Sequence, residues 1–257
     1  MARIDFPPAG FGIALHSVPR VVERQAARLN ADYDGVRTLD MLDDLARGLF
    51  RNRLALVSSF GVQSAVLLHL VSRVDPSLPV IFLDTGKHFG ETRRYRDELA
   101  SRFGLTDLRS VEPDANALKA ADPRSDLFLD STDACCHLRK VEPLARALDG
   151  FSAWISGRKR FQGGARGALP LFEAEGARIK LNPLAGWSRE DIGRYAEVHD
   201  LPEHPLRAQG FLSVGCMPCT ERATGDDERD GRWKGTGKTE CGIHTSILDL
   251  EPARSAR

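Results

Sequence analysis

The sequence predicts an α/β protein with a doubly wound, mostly parallel sheet and an irregular C-terminal arm. Short apolar runs bounded by turn residues alternate with longer stretches of helical periodicity, and several of these runs end in loops rich in Ser, Gly or charged residues. Parallel strands need crossover connections, so this alternation favours a parallel sheet. The arm is predicted because apolar periodicity stops near residue 201.

The predicted elements follow one another in chain order. Residues 18–50 carry apolar side chains at helical spacing and are expected to be helical. Apolar runs predict strands at 54–57, 79–83, 106–111 and 151–155, and helices at 65–71 and from about Glu91. Gly, Pro, Arg and Asp crowd residues 202–240, which indicates an irregular, partly mobile segment. We therefore divide the chain into an α/β nucleotide-binding domain at 1–205, with N-terminal helices at 18–50, and a C-terminal arm at 206–257.

Composition argues against several functional classes. A chain of 257 residues can bury a full core, and 36 basic against 36 acidic side chains leave no net charge to attract nucleic acid or an anionic membrane. No apolar run approaches the roughly 20 residues of a membrane span. The N-terminus lacks the charged start and apolar core of a signal peptide. We expect a cytoplasmic protein that binds neither nucleic acid nor a membrane.

The loop after the first predicted strand has the character of an anion site. Residues 58–64 offer Ser58, Ser59 and Phe60 just before a helix, where backbone N–H groups favour a phosphate. The Gly-Lys-Ser/Thr ending of the Walker pattern is absent. The alternative is a serine-rich helix cap without a ligand.

Two further loops follow strands and are expected at the same sheet edge, where α/β proteins bind ligands. In the loop at 84–90, Asp84 binds a nucleotide or caps the next helix. The loop at 156–167 has four cations within nine residues, including Arg158 and Arg166, which predicts a phosphate or sulfate binder. A solvated charged face is the alternative for the third loop.

Four of the five cysteines fall in two pairs. Cys135 and Cys136 are predicted to open a helix capped by Thr132 or Asp133, and a Cys-x-x-Cys turn follows at 216–219. Two pairs match the ligand number of a tetrathiolate metal or iron–sulfur site. Adjacent helical side chains diverge by about 100°, which favours the separate corners of a 4Fe–4S cube over one zinc ion. Buried structural cysteines and a thioredoxin-like redox pair are the alternatives.

The fifth cysteine, Cys241, stands apart from both pairs. A nucleophilic thiol needs its thiolate stabilised by cations, a histidine or a helix end. His244 lies three residues further on, and Arg229, Arg232 and Lys238 precede Cys241. The count therefore suggests four ligands and one nucleophile, with a stray C-terminal cysteine as the alternative.

Four groups of residues together resemble a known family: Cys135-Cys136 followed by Lys140, Cys216-x-x-Cys219-Thr220, Glu228-Arg229-x-Gly231-Arg232-Trp233, and Glu240-Cys241-Gly242-Ile243-His244. The chain resembles the bacterial assimilatory adenylyl-sulfate (APS) reductases over roughly residues 50–245. Relatives that reduce the 3′-phosphorylated substrate, PAPS, share the Glu-Cys-Gly-x-His tail but typically lack both cysteine pairs. The pairs therefore favour APS.

The resemblance implies an adenine-nucleotide α-hydrolase-like fold and one 4Fe–4S cluster on Cys135, Cys136, Cys216 and Cys219. It also implies that the Cys241 thiolate attacks the sulfur of APS, expels AMP and carries an S-sulfonate. Thioredoxin or a glutaredoxin-like thiol then releases sulfite. In this family the cluster is not thought to carry the electrons; with Lys140 it shapes the field around the sulfate.

The resemblance also implies site roles: His244 and Lys140 join Cys241 in catalysis, and the substrate contacts are Ser58, Ser59, Phe60, Asp84, Arg158, Arg166, Arg229 and Arg232. Two features depart from the family pattern, Lys87-His88 after the Asp84 turn and Phe161 at a position that is commonly acidic. The competing hypotheses are a PAPS reductase that retains a cluster, a nucleotide-binding iron–sulfur sensor without turnover, and a zinc-stapled binding module. A homo-oligomer is compatible with all of them.

Overall fold

The computed structural model describes residues 18–225 and 227–245, in which six strands form one sheet. The strands are β1 (Leu54–Val57), β2 (Val80–Leu83), β3 (Leu108–Val111), β4 (Ala153–Ile155), β5 (Phe172–Glu175) and β6 (Arg178–Leu181). Their order is β3-β2-β1-β4-β6-β5, and every pairing is parallel except the antiparallel pair of β5 with β6. The predicted doubly wound, mostly parallel sheet is confirmed.

The helices lie mainly between the strands. They are α1 (Val18–Asp32), α2 (Thr38–Asp44), α3 (Ser64–Val74), α4 (Gly90–Arg102), α5 (Ala115–Ala121), α6 (Leu127–Asp130), α7 (Thr132–Cys136), α8 (Glu142–Ala147) and α9 (Arg189–Val198). Two π-helical segments, Leu45–Leu49 and His137–Val141, continue α2 and α7. Beyond α9 the described residues form only short 3-10 turns and isolated bridges, as expected for the arm.

Two predictions of local structure were incomplete. The helical stretch at 18–50 is interrupted between α1 and α2, where Gly35 adopts a φ of 70° that other residues rarely adopt. The hairpin of β5 and β6 was missed because the strands were predicted from continuous apolar runs, whereas these two four-residue strands alternate apolar and charged residues. Its buried charges are paired, as in the 2.9 Å contact between Lys180 Nζ and Glu175 Oε1.

The strand register divides the core between the two faces of the sheet. Leu54 and Leu56 of β1 face a large apolar cluster that contains residues of α1, α3, α4 and α9. The alternate residues Ala55 and Val57 face a smaller cluster that includes Leu144 of α8. Because both faces of the sheet are covered, a ligand can reach it only at the strand ends. The sheet order reverses at β1, since β2 and β3 lie on one side of β1 and β4 lies on the other, and ligands of such sheets bind at this point.

None of the helices in the described part of the chain combines the length and apolar character that a membrane crossing requires. The N-terminal prediction about a signal peptide concerns residues 1–17, which lie outside the described residues.

Candidate active site

A pocket lies at the carboxyl ends of β1 and β4, where the sheet order reverses direction. Its walls come from the loops at 58–64 and 156–166, and from arm residues within 212–215, 228–233 and 240–244. The predicted site residues that line it are Ser58, Ser59, Lys140, Arg158, Arg166, Arg229, Arg232, Cys241 and His244. The arm therefore forms one side of the pocket.

Phe60 and Asp84, two predicted substrate contacts, do not line the pocket. The ring of Phe60 is fully buried at a φ of 50° and packs edge-on against Phe82, with 5.6 Å between centroids. A bulky residue in this region is strained, and the buried ring fixes the loop in place. Asp84 accepts a hydrogen bond from the Gly86 N–H and pairs with Arg93 at 3.0 Å. Asp84 therefore stabilises the turn before α4 and pairs with a residue of that helix, but it does not cap α4, whose N-cap is Phe89 without a side-chain hydrogen bond.

The first cysteine pair lies in α7, where both side chains are buried. Ser131 caps this helix by accepting a hydrogen bond from the Ala134 N–H at 3.1 Å, so the prediction of Thr132 or Asp133 as cap was wrong. A π-helical segment follows directly, a distortion that is frequent at functional sites.

The second strand loop holds the second cysteine pair. The hydroxyl of Thr85 lies 3.3 Å from Cys216 Sγ, and the Met217 N–H donates to the Lys87 carbonyl at 2.8 Å. His88 and Cys216 also form an antiparallel bridge. The loop at 84–90 thus contributes mainly as a support for Cys216, a role that the sequence did not reveal.

The four paired thiols divide into two environments. Burial raises the pKa of Cys135, and the neighbouring Cys216 and Cys219 thiolates raise it further. Cys136 instead donates a hydrogen bond to Cys241, which raises the pKa of Cys136. Within residues 18–225 and 227–245, no three His, Cys, Asp or Glu side chains converge as they would around a single metal ion.

Cys241 lies between the cysteine helix and a group of cations. Its pKa is held well below the ordinary value, first by the hydrogen bond from Cys136 and then by Lys140, the Ile243 N–H and Arg232, against the opposing effect of burial. Lys140 Nζ is 3.9 Å from Cys241 Sγ. This environment is one in which a thiolate nucleophile is stable.

Lys140 also interacts electrostatically with the paired cysteines. Burial lowers its pKa, but Cys216, Cys241 and Cys136 outweigh burial and raise it above the ordinary value. Lys140 therefore stays charged beside these thiols.

Arg232 is positioned by a glycine and a tryptophan. A Cβ atom on Gly215 would lie 2.4 Å from the guanidinium, so only glycine permits this approach. The Arg232 Nε–H donates to the Cys219 carbonyl at 3.3 Å, and its guanidinium carbon lies 4.3 Å from the centroid of Trp233. Arg232 is thereby held against the second cysteine pair.

Glu240, which the sequence did not single out as a contact, attaches the loop that carries Cys241 to the rest of the domain. Its carboxylate accepts two hydrogen bonds from Arg166, at 2.6 and 2.7 Å, and one from the Cys241 N–H at 2.8 Å. Arg229 lies 3.4 Å away. Because Arg166 belongs to the β4 loop and Glu240 to the arm, this bidentate pair attaches one to the other.

His244 lies at the base of the pocket without a positive charge. Its ring stacks on Trp154 with an interplanar angle of 8°, and its Nδ1 is buried without a hydrogen-bond partner. Burial, then Lys180 and Arg158, hold the pKa of His244 well below its ordinary value. These surroundings favour the neutral imidazole, and the catalytic role of His244 stays a prediction.

The β4 loop also contributes Arg158 and Lys159, and the Lys159 ammonium donates a hydrogen bond to the Gly157 carbonyl at 2.9 Å. Arg158 is buried, pairs with Glu173 and donates to the Asn182 side-chain oxygen at 3.2 Å. Lys159 is also buried, and desolvation lowers its pKa to about 7 despite the nearby Glu228. Lys159 lines the pocket and is a site residue that the sequence analysis missed.

Comparison with known proteins gives a consistent result. Residues 53–222 match the phosphoadenosine phosphosulfate reductase domain family. The adenosine 5′-phosphosulfate reductase of Mesorhizobium japonicum is 53% identical over 89% of this chain and 91% of its own length. The enzyme of that name from Mycobacterium tuberculosis is 38% identical over 86% of this chain and 94% of its own length.

Solved structures show the same fold. A phosphoadenylyl-sulfate reductase from Candida auris, solved as a phosphate complex, has a TM-score of 0.66 and 25% identity over 77% of this chain and 97% of its own. A yeast FAD synthetase with a TM-score of 0.50 and 15% identity, covering 82% of this chain and 77% of its own, shares the fold alone.

Proposed function

Since this chain belongs to the adenosine 5′-phosphosulfate reductase family, a family of oxidoreductases, we propose that it reduces APS to sulfite and AMP in sulfate assimilation. The observation that carries the proposal is the position of Cys241. Its thiol lies in the sheet-end pocket beside Lys140 and Arg232, with Arg166 and Arg229 close by.

In the first step Cys241 acts as the nucleophile. The thiolate attacks the sulfur of the sulfate group, an S–S bond forms, and the bond from sulfur to the bridging oxygen breaks. AMP leaves with that electron pair, and Cys241 carries an S-sulfonate. Lys140, Arg229 and Arg232 offset the charge of the phosphosulfate and hold it in line with the thiolate.

In the second step an external thiol completes the reduction. A thiolate of a thioredoxin or glutaredoxin-like protein attacks Cys241 Sγ, and sulfite leaves with the electron pair of the S–S bond. The second thiol of the reductant then displaces Cys241 as a thiolate and forms a disulfide. Two thiols thus supply the two electrons that convert sulfate sulfur to sulfite.

We include one 4Fe–4S cluster in the proposal, held by Cys135, Cys136, Cys216 and Cys219. Four unpaired thiols, three of them buried, are a suitable donor set, and their arrangement does not form a single-ion site among the described residues. When bound, the cluster would supply a fixed charge next to Lys140 that tunes the field at the substrate. Cys136 would then be a ligand rather than a hydrogen-bond donor, so Lys140, Arg232 and the Ile243 N–H would stabilise Cys241.

The cytoplasm is the proposed compartment. Its reductants keep thiols reduced, and all five cysteines are unpaired in the structure.

The reaction is tested by trapping the intermediate. Purified holoenzyme mixed with APS in the absence of thiols should release AMP in proportion to enzyme and gain the mass of one SO3 group on Cys241. Thioredoxin should then release sulfite. Cys241→Ser should bind APS but form neither product. Turnover by Cys241→Ser, or a sulfonate on another cysteine, contradicts the mechanism.

Two further measurements separate the competing hypotheses. Turnover of APS and PAPS at equal concentration distinguishes an APS reductase from a PAPS reductase that retains a cluster. A brown protein that releases no AMP from APS would indicate an iron–sulfur sensor, and a colourless protein with stoichiometric zinc would indicate a zinc-stapled module.

A further inference from the structure

Two carboxylates line the pocket among the described residues, and both belong to the arm. Glu240 lies at the nucleophile end, where Arg166 and the Cys241 N–H satisfy it. Glu228 lies beside the β1 loop, where it contacts Gln63 just before the first residue of α3. The two acids are therefore held by different loops of the pocket wall.

Glu228 is buried and well held. The Gln63 Nε2 donates to both carboxylate oxygens at 3.0 Å, and Arg189 Nε lies 3.5 Å away at the rim. The Arg189 side chain is about half exposed and also lies over the ring of Phe161. These contacts hold the carboxylate on the pocket wall and pair it with a cation at the rim.

The charges of the pocket orient a nucleotide. The phosphosulfate must lie beside Cys241, where Lys140, Arg229 and Arg232 are found. The apolar pocket-lining side chains that suit a base include Leu56, Leu67 and Leu83. The sugar lies between phosphate and base, and Glu228 is the pocket carboxylate that is not already committed to the Cys241 loop.

We propose that Glu228 is a specificity-determining residue that selects a ribose with a free 3′-hydroxyl, an inference that rests on the proposed function. An ionised carboxylate can accept a hydrogen bond from a ribose hydroxyl but repels a phosphate at the same position. Glu228 also neutralises Arg189, the rim cation that a 3′-phosphate would otherwise use. The enzyme therefore prefers APS to PAPS through one buried charge, in addition to any effect of the cysteine pairs.

The test compares the binding of AMP and adenosine 3′,5′-bisphosphate to the holoenzyme by calorimetry. Wild type should bind AMP more tightly. Glu228→Gln keeps the shape and the Gln63 contact but removes the charge, and should shift the affinity ratio toward the bisphosphate at least tenfold. Adding Arg189→Gln to this variant should reverse most of the shift. An unchanged ratio in Glu228→Gln overturns the proposal.

A matched control and a ligand variant complete the experiment. Glu221→Gln alters another arm carboxylate, which is exposed, pairs with Lys234 at 3.9 Å and lies outside the pocket lining, and it should leave the ratio unchanged. Should Glu228→Gln fail to fold, 3′-deoxyadenosine 5′-phosphate tests the wild type. It should bind at least fivefold more weakly than AMP, and equal binding overturns the proposal. AMP release from APS by wild type is scored separately, since its absence would refute the proposed function itself.

Discussion

Lys140 Nζ lies 3.9 Å from Cys241 Sγ, although the two residues are 101 positions apart in the chain. Lys140 belongs to the π-helical segment that follows the first cysteine pair, whereas Cys241 belongs to the arm and reaches Lys140 only where the arm packs against the domain. A cation and a thiol at this distance form a charge-stabilised pair only while the arm is docked. The Cys241 thiolate is therefore stabilised by Lys140 only in the state in which the arm is docked.

Lys140→Met keeps most of the side-chain volume and removes the charge. We expect the rate of S-sulfonate formation to fall by about 10²–10³, because a charge aimed at the reacting groups is lost. Single-turnover AMP release by rapid quench measures this. Lys87→Met is the matched control, because the Lys87 ammonium donates to the Ser125 carbonyl at 2.6 Å and Lys87 does not line the pocket. Equal rates in the two variants would exclude Lys140 from the chemical step.

Glu240→Gln should loosen the arm. The variant leaves Arg166 buried without its anion, and breaking a buried pair of this kind costs about 3 kcal/mol. Limited proteolysis should therefore cut the arm faster than in wild type, and single-turnover AMP release should fall. Glu221→Gln is the control, because Glu221 forms an exposed ion pair with Lys234 on the same arm. This variant should be cleaved and should release AMP at the wild-type rates. Unchanged proteolysis would show that Glu240 does not attach the arm.

Gly215→Ala should displace Arg232. The added Cβ would lie 2.4 Å from the guanidinium, a distance that side chains do not tolerate, so the arginine must leave its place. We expect the Kd for APS to rise by about tenfold or more, as for loss of a charged hydrogen bond. Gly237→Ala is the control, since a Cβ there meets no atom within 4 Å. Equal affinity in both variants would argue against a role for Arg232 in binding.

Lys159→Met should change how stability depends on pH. Burial lowers the pKa of Lys159 from 10.5 to about 7, so above pH 7 the unfolded chain binds a proton that the folded chain does not. Burying the charged Lys159 ammonium therefore destabilises the folded protein fully below pH 7. This destabilisation is relieved as pH rises from 7 to 10.5, and the free energy of unfolding then increases by a total on the order of a few kcal/mol. Urea unfolding at several pH values should show wild type gaining stability relative to Lys159→Met over this window. A constant difference would contradict the shift.

Much of the architecture follows from local sequence signals. Strands such as β1 are continuous apolar runs between turns, and the loops after β1 and β4 lie where parallel topology requires. The β5–β6 hairpin escaped prediction because Lys180 and Glu175 satisfy each other across the turn, and a pairing of buried charges has no local signature. Similarly, Ser131 rather than Thr132 caps α7, and residue type could not choose between them because Ser, Thr and Asp, which stand in succession at 131–133, are all favourable caps.

The sequence indicated candidate site residues by their chemical type, but it did not indicate which side chains they contact. Cys241 and the arginines stand out in the sequence, whereas Glu228, Glu240 and Lys159 resemble ordinary charged residues until the fold brings them to the pocket. Asp84 shows the reverse case: it follows a strand, as a ligand-binding acid would, but pairs with Arg93 and supports a turn. Three-dimensional proximity, which the sequence lacks, decides between these roles.

The antiparallel bridge between His88 and Cys216 has a consequence for assembly of the enzyme. The segment that starts at this bridge carries the second cysteine pair, Arg229, Arg232 and Cys241 in succession. A folding chain that fails to dock it lacks two of the proposed cluster ligands, the proposed binding cations and the proposed nucleophile at the same time. On the proposed mechanism, docking of this one segment therefore decides whether a sulfonated cysteine can form at all.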